Sequence, residues 1–191
     1  MFQHRVARNR VLYFIIWLIL LSAFAYLVTN YHLEFYQLLL LVVIFLLPGR
    51  LVKYFWRDFF RGRKQLVRGK YDRSIELLNN FLQKIQNAPS LKWLMFFSSG
   101  LYSFKVEAVA LTYLAIAYLH KKELDTAENH LKRALAIDTQ YTQAFKYYAA
   151  LALARGEEIQ SRHYLNEALR HGLPKVSFNE FRQSIQKELN F

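Results

Sequence analysis

The sequence predicts an all-α protein in which an N-terminal two-span transmembrane hairpin carries a short helical solenoid closed by a C-terminal capping helix. Three observations predict it. Two apolar runs fill most of the first fifty residues, helix-forming residues recur at an offset of about 34 from Ala108 onward, and an amphipathic segment with its own start signal ends the chain.

The chain has 191 residues and a formal net charge of +12. That length suits one modest domain plus an anchor. Up to Arg73 there are 12 Lys/Arg and 3 Asp/Glu, a net of +9, whereas from Ser74 onward there are 14 and 11, a net of +3. The basic character therefore flanks the apolar runs, where it meets anionic headgroups and sets topology. A nucleic-acid binder carries its basic patch on the folded domain, so no nucleic-acid partner is expected. With no cysteine in the chain, disulfides, thiolate metal sites and a thiol nucleophile are excluded.

Residues 1–52 read as the transmembrane hairpin. Val11 to Val28 carries no charge, and twelve of its residues are Leu, Ile, Val or Phe. Together these favour insertion by about 5 kcal/mol. The second run, Phe35 to Leu47, is short for a full span. Leu51, Val52, Tyr54, Phe55 and Trp56 extend its apolar character, and Arg50 and Lys53 can snorkel to headgroups. Pro48-Gly49 marks a kink or the end of this span. Arg5, Arg8 and Arg10 precede the first run, a dense basic stretch follows the second, and Thr29 to Glu34 between them has no Lys or Arg. The positive-inside rule then places both termini and the domain in the cytoplasm, at an inner membrane of bacterial type. Ala23-Phe24-Ala25 also allows cleavage as a signal peptide, and the second span would still leave the domain cytoplasmic. Residues 53–68 form a basic, aromatic juxtamembrane helix. It either lies in the headgroup region or continues the second span.

Residues 69–176 hold the repeats. Leu114-Ala115 is followed 34 residues later by Tyr148-Ala149, Tyr118 by Ala152, Lys122 by Gly156, Ala127 by Ser161, Leu131 by Leu165 and Ala134-Leu135 by Ala168-Leu169. In helix pairs of this kind Ala115, Ala127, Ala134, Ala149 and Ala168 let backbones approach, while Tyr118, Leu131, Phe145 and Leu165 fill the space between. Asp125 and Glu128 form a capping pair for the second helix. A half-copy runs from Gly69 with Ser74 at the small position, and Gly69 lies 53 residues before Lys122, one period plus 19. The surplus falls at 87–105, an insertion rich in apolar residues. Trp93, Phe96 and Phe97 either pack on the domain or contact a membrane surface or partner. At 177–191, Ser177-x-x-Glu180 is a capping box, with Phe178, Phe181, Ile185 and Leu189 at helical spacing behind it. This segment reads as the capping helix of a solenoid.

The stretch L-A-I-A-Y-L-H-K-K-E-L-D-T-A-E-N-H-L-K-R-A-L-A-I-D, Leu114 to Asp138, resembles the tetratricopeptide repeat consensus. The next copy resembles it too, with Ala152 in place of the usual aromatic, Ser161 in place of Ala, and no proline directly after its second helix. The resemblance implies a protein-binding solenoid whose concave groove is lined by Val109, Thr112, Ile116, Leu119 and His120, and beside them by Gln143, Lys146, Ala150 and Leu153. Such a groove suits an amphipathic helix or an extended apolar peptide. Family members that clamp a chaperone's C-terminal carboxylate use several Lys, Arg and Asn there, and only Lys146 matches.

No catalytic motif is found. His120, His130, His163 and His171 fall on repeat helices or their ends, as packing or exposed residues rather than ligands, and Glu157-Glu158 sits where a helix starts. No enzyme activity, cofactor or metal is expected. The expected function is a membrane-tethered adaptor or assembly factor that holds a protein partner at the cytoplasmic face. The alternative is a small accessory subunit of a membrane enzyme complex. The order of parts also resembles the HemY-type bacterial inner-membrane proteins associated with haem biosynthesis, without a specific motif.

Overall fold

The structure is a computed structural model that describes residues 15, 18, 19, 21–26, 28–30, 35–97 and 105–189. The described residues contain helices and no strand, as an all-α fold requires. The expected first span at 11–28, its flanks, and residues 98–104 lie wholly or partly outside the described residues. Among the described residues from 35 onward the α-helices are, in order, α1 Phe35–Phe55, α2 Arg57–Val67, α3 Tyr71–Asn87, α4 Val106–His120, α5 Leu124–Ile137, α6 Thr142–Ala154, α7 Glu158–Arg170 and α8 Phe178–Leu189. A 3-10 helix, Pro89–Phe97, lies between α3 and α4.

Helices α2 and α3, α4 and α5, and α6 and α7 pack as three hairpins, and α4 and α6 touch the first helix of the hairpin before each. The same contact recurs in the first and third hairpins. The Ser74 hydroxyl donates to the Gly62 carbonyl at 2.9 Å, and the Ser161 hydroxyl donates to the Ala149 carbonyl at 2.8 Å. Ala115 and Ala127 hold the equivalent places, and all six residues are buried. Only small side chains allow that approach, and each buried hydroxyl finds an acceptor. Gly62 is the tightest case, since a Cβ there would stand 2.9 Å from Leu78 Cγ.

The turns repeat as well. Gly69, Lys122 and Gly156 adopt positive φ of 73°, 62° and 79°. Their N–H groups donate to Leu66, Leu119 and Leu153 at 3.0 Å, and the next N–H in each case reaches Gln65, Tyr118 and Ala152 at 3.0, 3.0 and 2.8 Å. This is the Schellman arrangement, which satisfies carbonyls at a helix end. Gly172 closes α7 in the same way.

An aromatic cluster closes the first hairpin at the residue that follows α1. Trp56, Phe59 and Phe81 are all fully buried, with ring centroids 5.1–6.1 Å apart. The buried carboxylate of Asp58 accepts from Lys84, tying the start of α2 to the end of α3.

Several expectations change. Helix α1 continues through Pro48-Gly49 to Phe55, and the break falls at Trp56 instead. The juxtamembrane stretch is therefore shared by two helices. Among the described residues no helix is long and apolar enough to cross a membrane. In α1 the apolar run gives way after Leu47 to Pro48, Gly49 and Arg50, leaving about 20 Å of apolar helix where about 30 Å is needed. The two-span hairpin thus finds no support in these helices.

Lys122 bears a side chain where its counterparts are glycine. We expect Lys122→Gly to raise stability by roughly 0.5–1 kcal/mol, because relief of left-handed strain exceeds the entropy lost. Gly156→Ala should lower stability by about 1 kcal/mol. Chemical denaturation of the two variants beside the parent chain checks both signs.

Candidate partner-binding surface

The residues expected to line a groove do share faces of α4 and α6, but most are covered. Val109, Thr112, Ile116, Leu119 and Ala150 are no more than 6% exposed. His120, Gln143, Lys146 and Leu153 are half-buried. Thr112 spends its hydroxyl on the Ala108 carbonyl at 2.9 Å. The open groove is therefore corrected to a largely closed face with a polar rim.

Helix α8 contributes to the closure. The expected capping box forms: Ser177 Oγ and N–H both contact the Glu180 carboxylate, at 2.9 and 2.8 Å, and the Glu180 N–H donates back to Ser177 Oγ at 3.3 Å. These bonds hold the Glu180 carboxyl below its usual range. The Arg162 guanidinium lies 3.9 Å from the Phe178 ring centroid, and Arg182 pairs with Glu158 at 3.5 Å. The helix thus starts beside the first turn of α7. Its far end meets α6, where the Tyr147 hydroxyl donates to Glu188 at 2.7 Å and Lys146 lies 3.3 Å from the same carboxylate. Between these ties Phe181, Ile185 and Leu189 are buried. Burial and Glu188 together push the Tyr147 phenol up. Glu188 carries this contact, and nothing in its sequence spacing singled it out.

A second cluster joins neighbouring hairpins. Arg155, at the end of α6, binds Glu128 at 2.7 Å and Asp125 at 2.6 Å, both on α5. Lys132 pairs with Glu128 at 2.6 Å. Lys132 and then Arg155 hold the Glu128 carboxyl below its usual range. Asp125 and Glu128 are therefore not the expected capping pair. Helix α5 begins after Glu123 with no side-chain cap, and the two acids serve the next hairpin instead.

The histidines stack on rings. His120 lies against Tyr71 at 4.6 Å, His130 against Tyr118 at 5.3 Å and His171 against Phe145 at 5.3 Å. Burial lowers the pKa of His120, with Glu188 opposing. Burial and then Arg133 lower that of His130. Among the described residues no three His, Cys, Asp or Glu side chains are grouped to hold a metal ion.

The start of the insertion is fastened to the fold. Trp56 Nε1 donates to the Leu91 carbonyl at 3.3 Å, and Leu91 and Leu94 pack on the core. Lys92 pairs with Glu107 at 3.0 Å, and Lys105 donates to the Ile137 carbonyl. Both lysines thus have partners inside the protein. The side chains of Trp93, Phe96 and Phe97 lie outside the described residues.

No protein-family model, curated protein or solved structure matches the chain.

The lowered histidine pKa values set a pH dependence. Above about 6.5 both states hold neutral histidine and the stability is fully present. As pH falls through 6.5, the unfolded chain takes up protons that folded His120 and His130 resist, so stability is lost. We expect the melting temperature to drop between pH 7.5 and 5.5, above the range where carboxylates titrate. The drop should shrink in His130→Phe.

Proposed function

We propose that the protein is a membrane-tethered helical adaptor or assembly factor, of tetratricopeptide type, that holds a protein partner at the cytoplasmic face of a membrane. The observation that carries this reading is the junction of α1 with the repeats. Helix α1 exposes Phe35, Leu39, Leu40, Val42, Val43 and Leu47. Such a surface calls for lipid or a protein partner. It runs directly into the basic α2, which opens a stack of three hairpins. The apolar, uncharged run at 11–28 would supply the principal anchor, and with α1 returning the chain, the basic residues before that run and those from Arg50 onward would lie together on the cytoplasmic side. Partner contact falls to the rim residues His120, Gln143, Lys146 and Leu153.

One observation favours the accessory-subunit reading instead. The inner face of the repeats is already covered within the chain, which leaves α1 and the N-terminal run as the larger contact surface. Two variants of the full chain separate the readings after gentle detergent extraction and identification of co-purifying chains. As an adaptor, the protein loses its partner on Gln143→Lys with Leu153→Asp and keeps it on Leu39→Ala with Val43→Ala. As an accessory subunit it shows the reverse. A protein extracted alone in parental form contradicts both.

A further inference from the structure

Basic residues cluster where the juxtamembrane helix meets the first repeat. Arg61, Lys64, Gln65 and Arg68 recur at intervals of three and four along α2, which places them on one helical face. With Arg73 and Leu77 of α3 they line a cavity of about 260 Å³. Two acidic groups nearby are committed elsewhere, Asp58 to Lys84 and Asp72 to Lys121, while Glu76 pairs with Arg73 of the cluster itself at 2.5 Å. Among the described residues Arg61, Lys64 and Arg68 form no ion pair. Four cations therefore share one cavity with a single carboxylate at its edge.

Two ordinary explanations fall short. Cations favour the end of a helix because of its dipole, which suits Lys64 and Arg68 at the end of α2. It does not suit Arg73, which stands in the first turn of α3, where the dipole disfavours positive charge. Solvation of a basic surface does not explain Gln65 either. Its Oε1 is buried without a hydrogen-bond partner while the residue lines the same cavity. Amide oxygen and nitrogen are interchangeable by a half-turn of the group. Turned over, Gln65 carries an unpartnered N–H donor beside the cavity that the residue lines.

We propose that Arg61, Lys64, Arg68 and Arg73, with the Gln65 amide, form a binding site for a phosphate group. Guanidinium forks grip phosphate oxygens in pairs and a lysine adds a point charge. The cavity also leaves room for a small substituent such as glycerol, so the ligand class is a phosphate monoester or diester. Its source is the headgroup of an anionic phospholipid or a soluble phosphate ester. The site stands on its own geometry, whereas the lipid source rests on the membrane-tether reading. The site begins six residues beyond Phe55, roughly 9 Å along a helix, within reach of headgroups if α1 is anchored.

The test uses the full chain in nanodiscs of phosphatidylcholine alone. Glycerol phosphate is titrated, with the thermal melting midpoint as readout. A second preparation contains phosphatidylglycerol. Arg61→Ala with Arg68→Ala is compared with Lys175→Ala with Lys187→Ala, which removes the same charge from other exposed positions. Gln65→Leu keeps all four cations and tests the amide. A midpoint raised by glycerol phosphate or by phosphatidylglycerol, with affinity weakened about tenfold or more in the Arg61/Arg68 variant and unchanged in the control, supports the site. Response to the lipid alone assigns the headgroup as the source, and response to glycerol phosphate assigns a soluble ester. Equal weakening in the control variant reduces the effect to net charge and overturns the site. So does absence of any shift in a parental protein that is folded in both preparations. A chain that needs no detergent or lipid to stay in solution, yet binds glycerol phosphate through Arg61 and Arg68, overturns the tether and keeps the site.

Discussion

Close approach of two helices at a pair of small residues, twelve positions apart, is the constraint from which the rest of the fold follows. Gly62 with Ser74 and Ala149 with Ser161 meet through hydroxyl-to-carbonyl bonds of 2.9 and 2.8 Å. Ala115 and Ala127 repeat the spacing without a hydroxyl. Once the helices touch there, larger side chains such as Leu78, Leu131 and Leu165 are confined to the flanks of the contact and become core. The turn must then reverse the chain within two residues of the helix end. A left-handed residue with two reciprocal backbone bonds does so three times, at 69, 122 and 156. Packing and turn chemistry thus specify the same register, a local and global agreement of the kind that makes a chain fold to one state.

Different chemistry joins the hairpins to one another and to their surroundings. Arg155 bridges the last two hairpins through Asp125 and Glu128. The aromatic cluster of Trp56, Phe59 and Phe81 closes the first hairpin just after the end of α1. Through the bond from Trp56 to Leu91 it also fixes the 3-10 helix. The region with most net charge and most exposed apolar surface is therefore mechanically continuous with the repeats.

Much of this was legible beforehand because repetition exposes constraint. The correspondence of Ala127 with Ser161 and of Lys122 with Gly156 located the close contacts and the turns before any coordinates. The Ser177–Glu180 box also formed as expected. Other features were not legible, for one reason: periodicity tells which face a residue occupies and not what later covers that face. Val109, Ile116 and Leu119 lie on the expected side of α4, yet they are buried, and the contact of Glu188 with Tyr147 joins residues 41 positions apart. Asp125 and Glu128 fit a capping pattern locally, and a distant arginine outcompeted it. Pro48-Gly49 allowed a kink or an end to the helix; it is not the end, since proline's fixed φ is compatible with a helix and the break falls at Trp56.

Because the chain has no cysteine of its own, the repeated contact is open to direct measurement by engineered disulfides. A disulfide needs Cβ atoms about 3.5–4.5 Å apart, a separation that only closely approaching helices offer. The pair Ala115→Cys with Ala127→Cys has no hydrogen bond to reveal its proximity and is assigned only by the register shared with Ala149 and Ser161. In the folded full-length protein this pair should cross-link under mild oxidation as completely as Ala149→Cys with Ser161→Cys, while Ala115→Cys with Thr126→Cys, displaced by one residue, should not. Cross-linking of the displaced pair, or failure of the Ala115/Ala127 pair in a protein that still melts cooperatively, would contradict the shared register.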